Sequence, residues 1–279
     1  MNSKFKRYIF IFCIGMGLYG LYALIMQVLG QPLYVLLLAY LFIVVVFYFI
    51  NRKNMWAVRG NYFYVTGHKA RAKPILQKAV AAGTKSPSAY IYLALMAVQE
   101  DKDAETAFAL LEKAQKLSVS VIDERNALTT LASCHWLNGD AQKGIEVLEN
   151  MRASHEYTNA GVLTTLGYMY FTQGEFDKAI EISQLAMEDD PNHGAAWDNV
   201  GQVYYKQGDM EAAKENFRTA LSKRENLADS CYFLALIYEN EGNLDEAKEY
   251  FRRAAICTIS IYNTVTAEQV EEKYKQYHK

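Results

Sequence analysis

The chain has 279 residues, a formal net charge of −2, four cysteines and four prolines. All 31 acidic residues lie beyond position 50, where 26 basic residues leave a net charge of −5, an acidic surplus that argues against a nucleic-acid groove and against a broad grip on anionic lipid. No C-x-x-C occurs, and His68, His135, His155, His193 and His278 show no paired spacing, so no disulfide framework, metal site or cofactor is expected.

The first charge-free run is residues 8–50. Residues 8–29 as a helix would be about 33 Å long, enough for a bilayer core of about 30 Å. Gly30, Gln31 and Pro32 suit a tight turn, and residues 33–50 give a second apolar helix. The expectation is a two-helix transmembrane hairpin filling an anchor over residues 1–52. Lys4, Lys6 and Arg7 precede it and Arg52, Lys53 and Arg59 follow it. Basic flanks stay inside, which predicts a multi-pass cell-membrane protein with both termini and all of the repeats cytoplasmic.

Inside the first helix GMGLYG spells G-x-G-x-x-G. A dinucleotide site would need a preceding strand and an acidic residue about 20 positions later, and the run holds no acid. The glycines read instead as helix-packing positions, with Gly17 and Gly20 on one face near Cys13 and Leu24.

Beyond the anchor, glycine returns at a fixed interval. Gly174, Gly208 and Gly242 are 34 residues apart, as are Tyr170, Tyr204 and Tyr238, then Ala179, Ala213 and Ala247, then Ala186, Ala220 and Ala254. With Trp197, Val200, Gly201, Tyr204, Ala213 and Phe217 in place, the stretch resembles the tetratricopeptide repeat, W-x₂-L-G-x₂-Y followed by A-x₃-F. Pro191 fills the closing position of the preceding copy. Looser copies begin near Lys53 (Trp56, Gly60, Phe63, Gly67, Ala72, Ala79), at 87–121 (Leu93, Ala107, Ala114) and at 125–159 (Leu131, Ala132, Gly139, Leu148). The weakest joint is 118–126.

The resemblance implies an all-α chain: a right-handed superhelix of about six helix-turn-helix repeats over residues 53–261, then a capping helix over 262–279. Thr266 and Gln269 have capping-box spacing, and Val270, Tyr274 and Tyr277 would face inward. The whole is similar to bacterial proteins that join such repeats to a membrane anchor.

In this family partners bind the concave face, built from the first helix of each pair. The place after the motif's aromatic holds Tyr64, Val98, Trp136, Phe171, Tyr205 and Glu239 in the six repeats. Two further lining places hold Asp198 and Gln202, with Thr164 and Tyr168 one repeat before and Tyr232 and Leu236 one after. Asn199 matches the asparagine of the family's carboxylate clamp, but Thr164, Tyr232 and Leu236 stand where lysine and arginine would be. The groove residues expected to meet a partner are therefore Tyr64, Trp136, Tyr168, Phe171, Asp198, Asn199, Gln202, Tyr205 and Tyr232, and the ligand an apolar or mixed helical or extended protein segment. No nucleophile elbow, phosphate loop or paired catalytic carboxylate is present, so the chain is read as non-enzymatic. Its expected role is a membrane-tethered cytoplasmic adaptor. The alternative is a structural or assembly subunit whose hairpin makes the key contacts.

Overall fold

The computed structural model describes residues 3–28, 30, 33–154 and 158–277. After α1 (Ser3–Val28), the helices come in pairs: α2 (Leu33–Val65) with α3 (Lys69–Ala81), α4 (Pro87–Met96) with α5 (Ala104–Gln115), and α6 (Val121–Leu137) with α7 (Ala141–Ala153). The series continues with α8 (Ala160–Thr172) and α9 (Phe176–Asp189), α10 (Gly194–Gln207) and α11 (Met210–Lys223), and α12 (Ala228–Asn240) and α13 (Leu244–Ala255). A last helix, α14 (Ala267–Tyr277), packs on α13. The result is an all-α superhelix of paired helices, each pair burying its apolar face against the next.

The fifth pair shows why the repeat folds. Gly208 ends α10 at φ 86°, a left-handed conformation that costs glycine nothing. Asp209 then caps α11, its carboxylate accepting from the Ala212 N–H at 3.0 Å. Gly201 lets the two helices close: a Cβ there would come within 2.7 Å of the Phe217 ring, which is fully buried. The second pair lacks the turn glycine. There α4 runs on through a π turn, Ala97–Asp101, and Lys102 takes the left-handed position at φ 53°. At the far end Thr266 and Gln269 form a reciprocal capping box. The Thr266 N–H donates to Gln269 Oε1 at 2.8 Å, and the Gln269 N–H donates to Thr266 Oγ1 at 3.2 Å.

The membrane topology expected above is overturned. Among the described residues, one helical stretch, Leu37–Val65, is long and apolar enough to cross a membrane, judged by length and composition. The apolar stretch of α1, Phe12–Gln27, is shorter. With one candidate span, the two flanks are no longer required to share a side, and the cytoplasmic placement of both termini and the repeats falls with the hairpin. Nor does the second helix end near residue 50: α2 is continuous to Val65, so its apolar half and the first helix of repeat one are a single rod.

The glycine face is corrected too. A Cβ added at Gly15, Gly17 or Gly20 would meet nothing within 4 Å, and Cys13 and Leu24 are exposed. Instead α1 meets α2 through Tyr40, whose ring lies 4.9 Å from that of Tyr19 and whose hydroxyl donates to the Met16 sulfur at 3.5 Å. The side chains of Lys4, Lys6 and Arg7 lie outside those described, as do residues Leu29, Gln31, Pro32, His155 and His278.

Candidate functional site

The inner helices α4, α6, α8, α10 and α12 form one side of the superhelix, and the segment after α13 is laid along them. Residues 258–266 are neither helix nor strand. Ile261 is buried in the apolar cluster of pairs two and three, with Tyr90, Ile91, Val98 and Cys134. Its neighbour Tyr262 shares a hydroxyl–hydroxyl hydrogen bond with Ser133, 129 positions earlier. The Tyr262 ring lies 6.2 Å from Trp136 and 5.9 Å, edge-on, from Tyr168. Burial pushes the Tyr262 hydroxyl up to about 12, so it remains a neutral hydrogen-bonding group. The segment also braces itself: the Ser260 N–H and hydroxyl both donate to Asn263 Oδ1, at 2.7 and 3.0 Å.

A carboxylate supplies the second anchor. Asp229, in the first turn of α12, accepts from the N–H of Val265 at 2.9 Å, the N–H of Thr264 at 3.1 Å and the side-chain amide of Asn263 at 3.1 Å. Gln202 Nε2 links Asp229 to Asp198, donating at 3.2 and 2.7 Å. Ser230 donates to Asp198, and the Thr264 hydroxyl donates to Gln202 Oε1. Asp198, Gln202, Asp229 and Ser230 are all buried. Burial, then repulsion from Asp229, raises Asp198 to about 7; burial likewise raises Asp229. Asp229 has two backbone N–H groups to stabilise its charge, so it is the better anion and Asp198 the better seat for a shared proton.

The expected groove residues divide accordingly. Trp136 and Tyr168 enclose Tyr262, while Asp198 and Gln202 belong to the network holding residues 263–265. Asn199 turns toward α8 and donates to the Thr164 carbonyl at 2.9 Å. Tyr64 stacks on Tyr92 with ring centroids 4.3 Å apart, and Tyr205 packs on Phe233 at 4.7 Å. Phe171 is buried between Tyr168 and Phe176, and Tyr232 is buried against Phe233 and Phe251. Glu239 is taken by the closing helix, pairing with Lys273 at 2.6 Å. Beside residues 258–263 a cavity of about 690 Å³ remains open, bordered by Thr164, Tyr168, His193, Asp198, Arg224 and Asn263 among others. Sequence reasoning missed Ser133, Asp229, Ser230 and the whole crossing segment. A signal existed at Asp229, which stands where the two preceding repeats carry Ala195 and Gly161.

Residues 158–226 and 228–255 match tetratricopeptide-repeat family models. This part of the chain carries tetratricopeptide repeats. The repeats support a scaffold role; among the described residues no group of three or more His, Cys, Asp or Glu is placed to hold a metal. Its fold is similar to that of a monomeric IFIT1 mutant solved with m7Gppp-AAAA, at TM-score 0.62 and 18% identity, covering 81% of this chain and 54% of that one. It is also similar to a chain of the APC/C hetero-tetramer Cut9-Hcn1, at TM-score 0.59 and 18% identity, covering 80% and 42%. A third likeness is to PilW, a type IV pilus biogenesis factor, at TM-score 0.56 and 19% identity, covering 72% and 91%. The TPR chain thus spans only about half, or less, of the IFIT1 and Cut9-Hcn1 chains that it matches. At these identities the likeness is one of fold. No curated protein matches in sequence.

Proposed function

We propose that this TPR chain is a membrane-attached scaffold that binds a protein segment in its concave groove. The observation that carries the reading is the groove itself, whose inner helices bring aromatic, amide and carboxylate side chains around a non-helical stretch of chain and leave a cavity of about 690 Å³ beside it. Residues 1–52 serve as the anchor, 53–261 as the repeat array and 262–279 as the closing segment, with α2 crossing the first boundary unbroken. Attachment rests on Leu37–Val65, whose exposed Leu37, Leu41, Phe42 and Ile43 favour lipid contact. Trp136, Tyr168, Asp198 and Gln202 are the proposed contacts at the centre of the groove. Tyr64, Phe171, Asn199, Tyr205 and Tyr232 support its walls. The acidic surplus favours a protein over a nucleic acid as partner.

The test is in-cell crosslinking and capture with the full chain, comparing the natural protein with His193→Ala/Arg224→Glu. His193 is half-buried and Arg224 exposed at the cavity mouth, so the array should fold unchanged. Loss of the captured protein supports groove binding. Unchanged capture would assign the contact to the apolar helices or the outer face, and the scaffold would then act as an assembly subunit.

A further inference from the structure

We infer that residues 258–266 are a resident ligand of the groove, and that the partner accepted there is a peptide that takes the same turning course with the same chemistry: an aliphatic residue, a tyrosine, then a short amide or hydroxyl residue. The inference rests on the groove reading above and specifies what the groove recognises.

The geometry is that of recognition. Besides its local bonds within 260–263 and the Thr266–Gln269 capping box, the segment bonds to side chains of pairs three, five and six, as far away as Ser133. Asp229 takes two successive backbone N–H groups, at Thr264 and Val265, which only a bent main chain can aim at one carboxylate, so the contact reads backbone shape whatever the side chains. Selectivity then comes from the tyrosine pocket between Trp136 and Tyr168, closed by the Ser133 hydroxyl, and from the apolar seat of Ile261. The open cavity adjoins this track, so a longer peptide gains contacts that the resident segment does not make.

Because α13 and α14 hold the segment at both ends, its effective concentration at the groove is on the order of millimolar or higher. An incoming peptide binds only the open fraction, and its apparent dissociation constant rises by the inverse of that fraction. The resident segment therefore sets a threshold that only a peptide using the adjoining cavity, or one presented at high local concentration, overcomes.

The test uses the full chain in detergent micelles and a fluorescein-labelled peptide of residues 258–266, TISIYNTVT, read by fluorescence anisotropy. Tyr262→Ala/Asn263→Ala empties the groove of its best contacts and should bind the peptide at least tenfold more tightly than the natural chain. Adding Asp229→Ala should return binding to the natural level, and a peptide with alanine in place of its tyrosine should not bind. Tyr262→Phe, which removes only the hydroxyl contact with Ser133, gives a milder opening and a smaller gain if the double variant folds poorly. Equal binding to the natural and opened chains, or no binding to any opened chain that retains its melting transition, overturns the inference. Should the peptide fail while His193→Ala/Arg224→Glu still abolishes partner capture, groove binding survives and only the assigned ligand chemistry falls. Should the peptide bind the opened chain while capture ignores those mouth substitutions, the groove recognises its own segment and the partner lies elsewhere.

Discussion

Replacing Asp229 with alanine should release the crossing segment while leaving the repeats folded. The carboxylate accepts from Val265 N–H at 2.9 Å, from Thr264 N–H and the Asn263 amide at 3.1 Å each, and from Gln202 at 3.2 Å. Hydrogen bonds to a charged group contribute about 1.5–3 kcal/mol each, and the contributions are not additive. Against the loss stands a gain, since alanine removes a buried charge and its repulsion with Asp198. A net local destabilisation of about 3 kcal/mol follows, and at 1.36 kcal/mol per decade this is a rise in segment opening of roughly 100-fold. Hydrogen exchange with mass spectrometry measures it directly. Fragments covering residues 258–266 should exchange roughly 100-fold faster, while fragments from α8 and α9 keep their protection. A change below about fivefold in the segment would refute the anchoring argument, and so would equal acceleration throughout the chain.

Four other outcomes follow from the same structure. Asp198 has its pKa raised in the folded state from 3.8 to about 7, so the stability it contributes is whole below about 3.8 and lost as the pH rises through about 7. The melting temperature should therefore fall from about pH 4 to about pH 7 and level off above it, and Asp198→Asn should flatten that fall; half-buried His193, whose pKa is lowered by burial, acts in the opposite sense below its ordinary pKa. Lys102→Gly relieves a left-handed non-glycine turn at φ 53° and should stabilise the chain by about 0.5–1 kcal/mol in urea unfolding. Gly201→Val drives its Cβ toward Phe217, a 2.7 Å approach, and should destabilise by about 1–3 kcal/mol in the same assay. Cys257 is partly exposed and its thiol is lowered to about 7 by its hydrogen bond with Cys231 and then by Arg253 and Arg224, so maleimide should label it well before buried Cys134, which burial raises to about 12.

The repeat array was legible because its cause is local and periodic. Gly174, Gly208 and Gly242 recur where each pair must turn, and Ala213 and Ala247 recur where paired helices must touch, so spacing alone located them. The capping box was legible for the same reason, its two bonds joining residues three apart. The membrane hairpin misled because an apolar run records where charge is absent, not where a helix starts or ends. Arg52, Lys53 and Arg59 looked like a boundary, yet α2 carries them into the first repeat, and Arg52 lies 5.6 Å over the Trp56 ring. The aromatic column was only partly legible. One position after the motif aromatic, Trp136 reaches the crossing segment, but Phe171 turns into the packing within its own pair and Tyr64 onto Tyr92. Helical phase fixes the face and leaves the neighbour to tertiary packing.

The crossing segment left one trace in the sequence, and physical chemistry makes that trace informative. At the start of the inner helix, the two preceding repeats carry the small residues Gly161 and Ala195 at one place. One period later the same place holds Asp229, which is 1% exposed. A buried carboxylate without donors costs several kcal/mol, and the adjoining pair supplies just one, Gln202, which it shares with Asp198. The remaining acceptor capacity must be met by a stretch of chain arriving from elsewhere with its N–H groups unspent. Helices spend all but their first-turn N–H groups internally, so the arriving stretch is non-helical or a helix start, and in this protein it is residues 263–265, just ahead of α14. A buried acid that breaks the period of a repeat array therefore announces a ligand for the groove, and the chain's own tail answers it first.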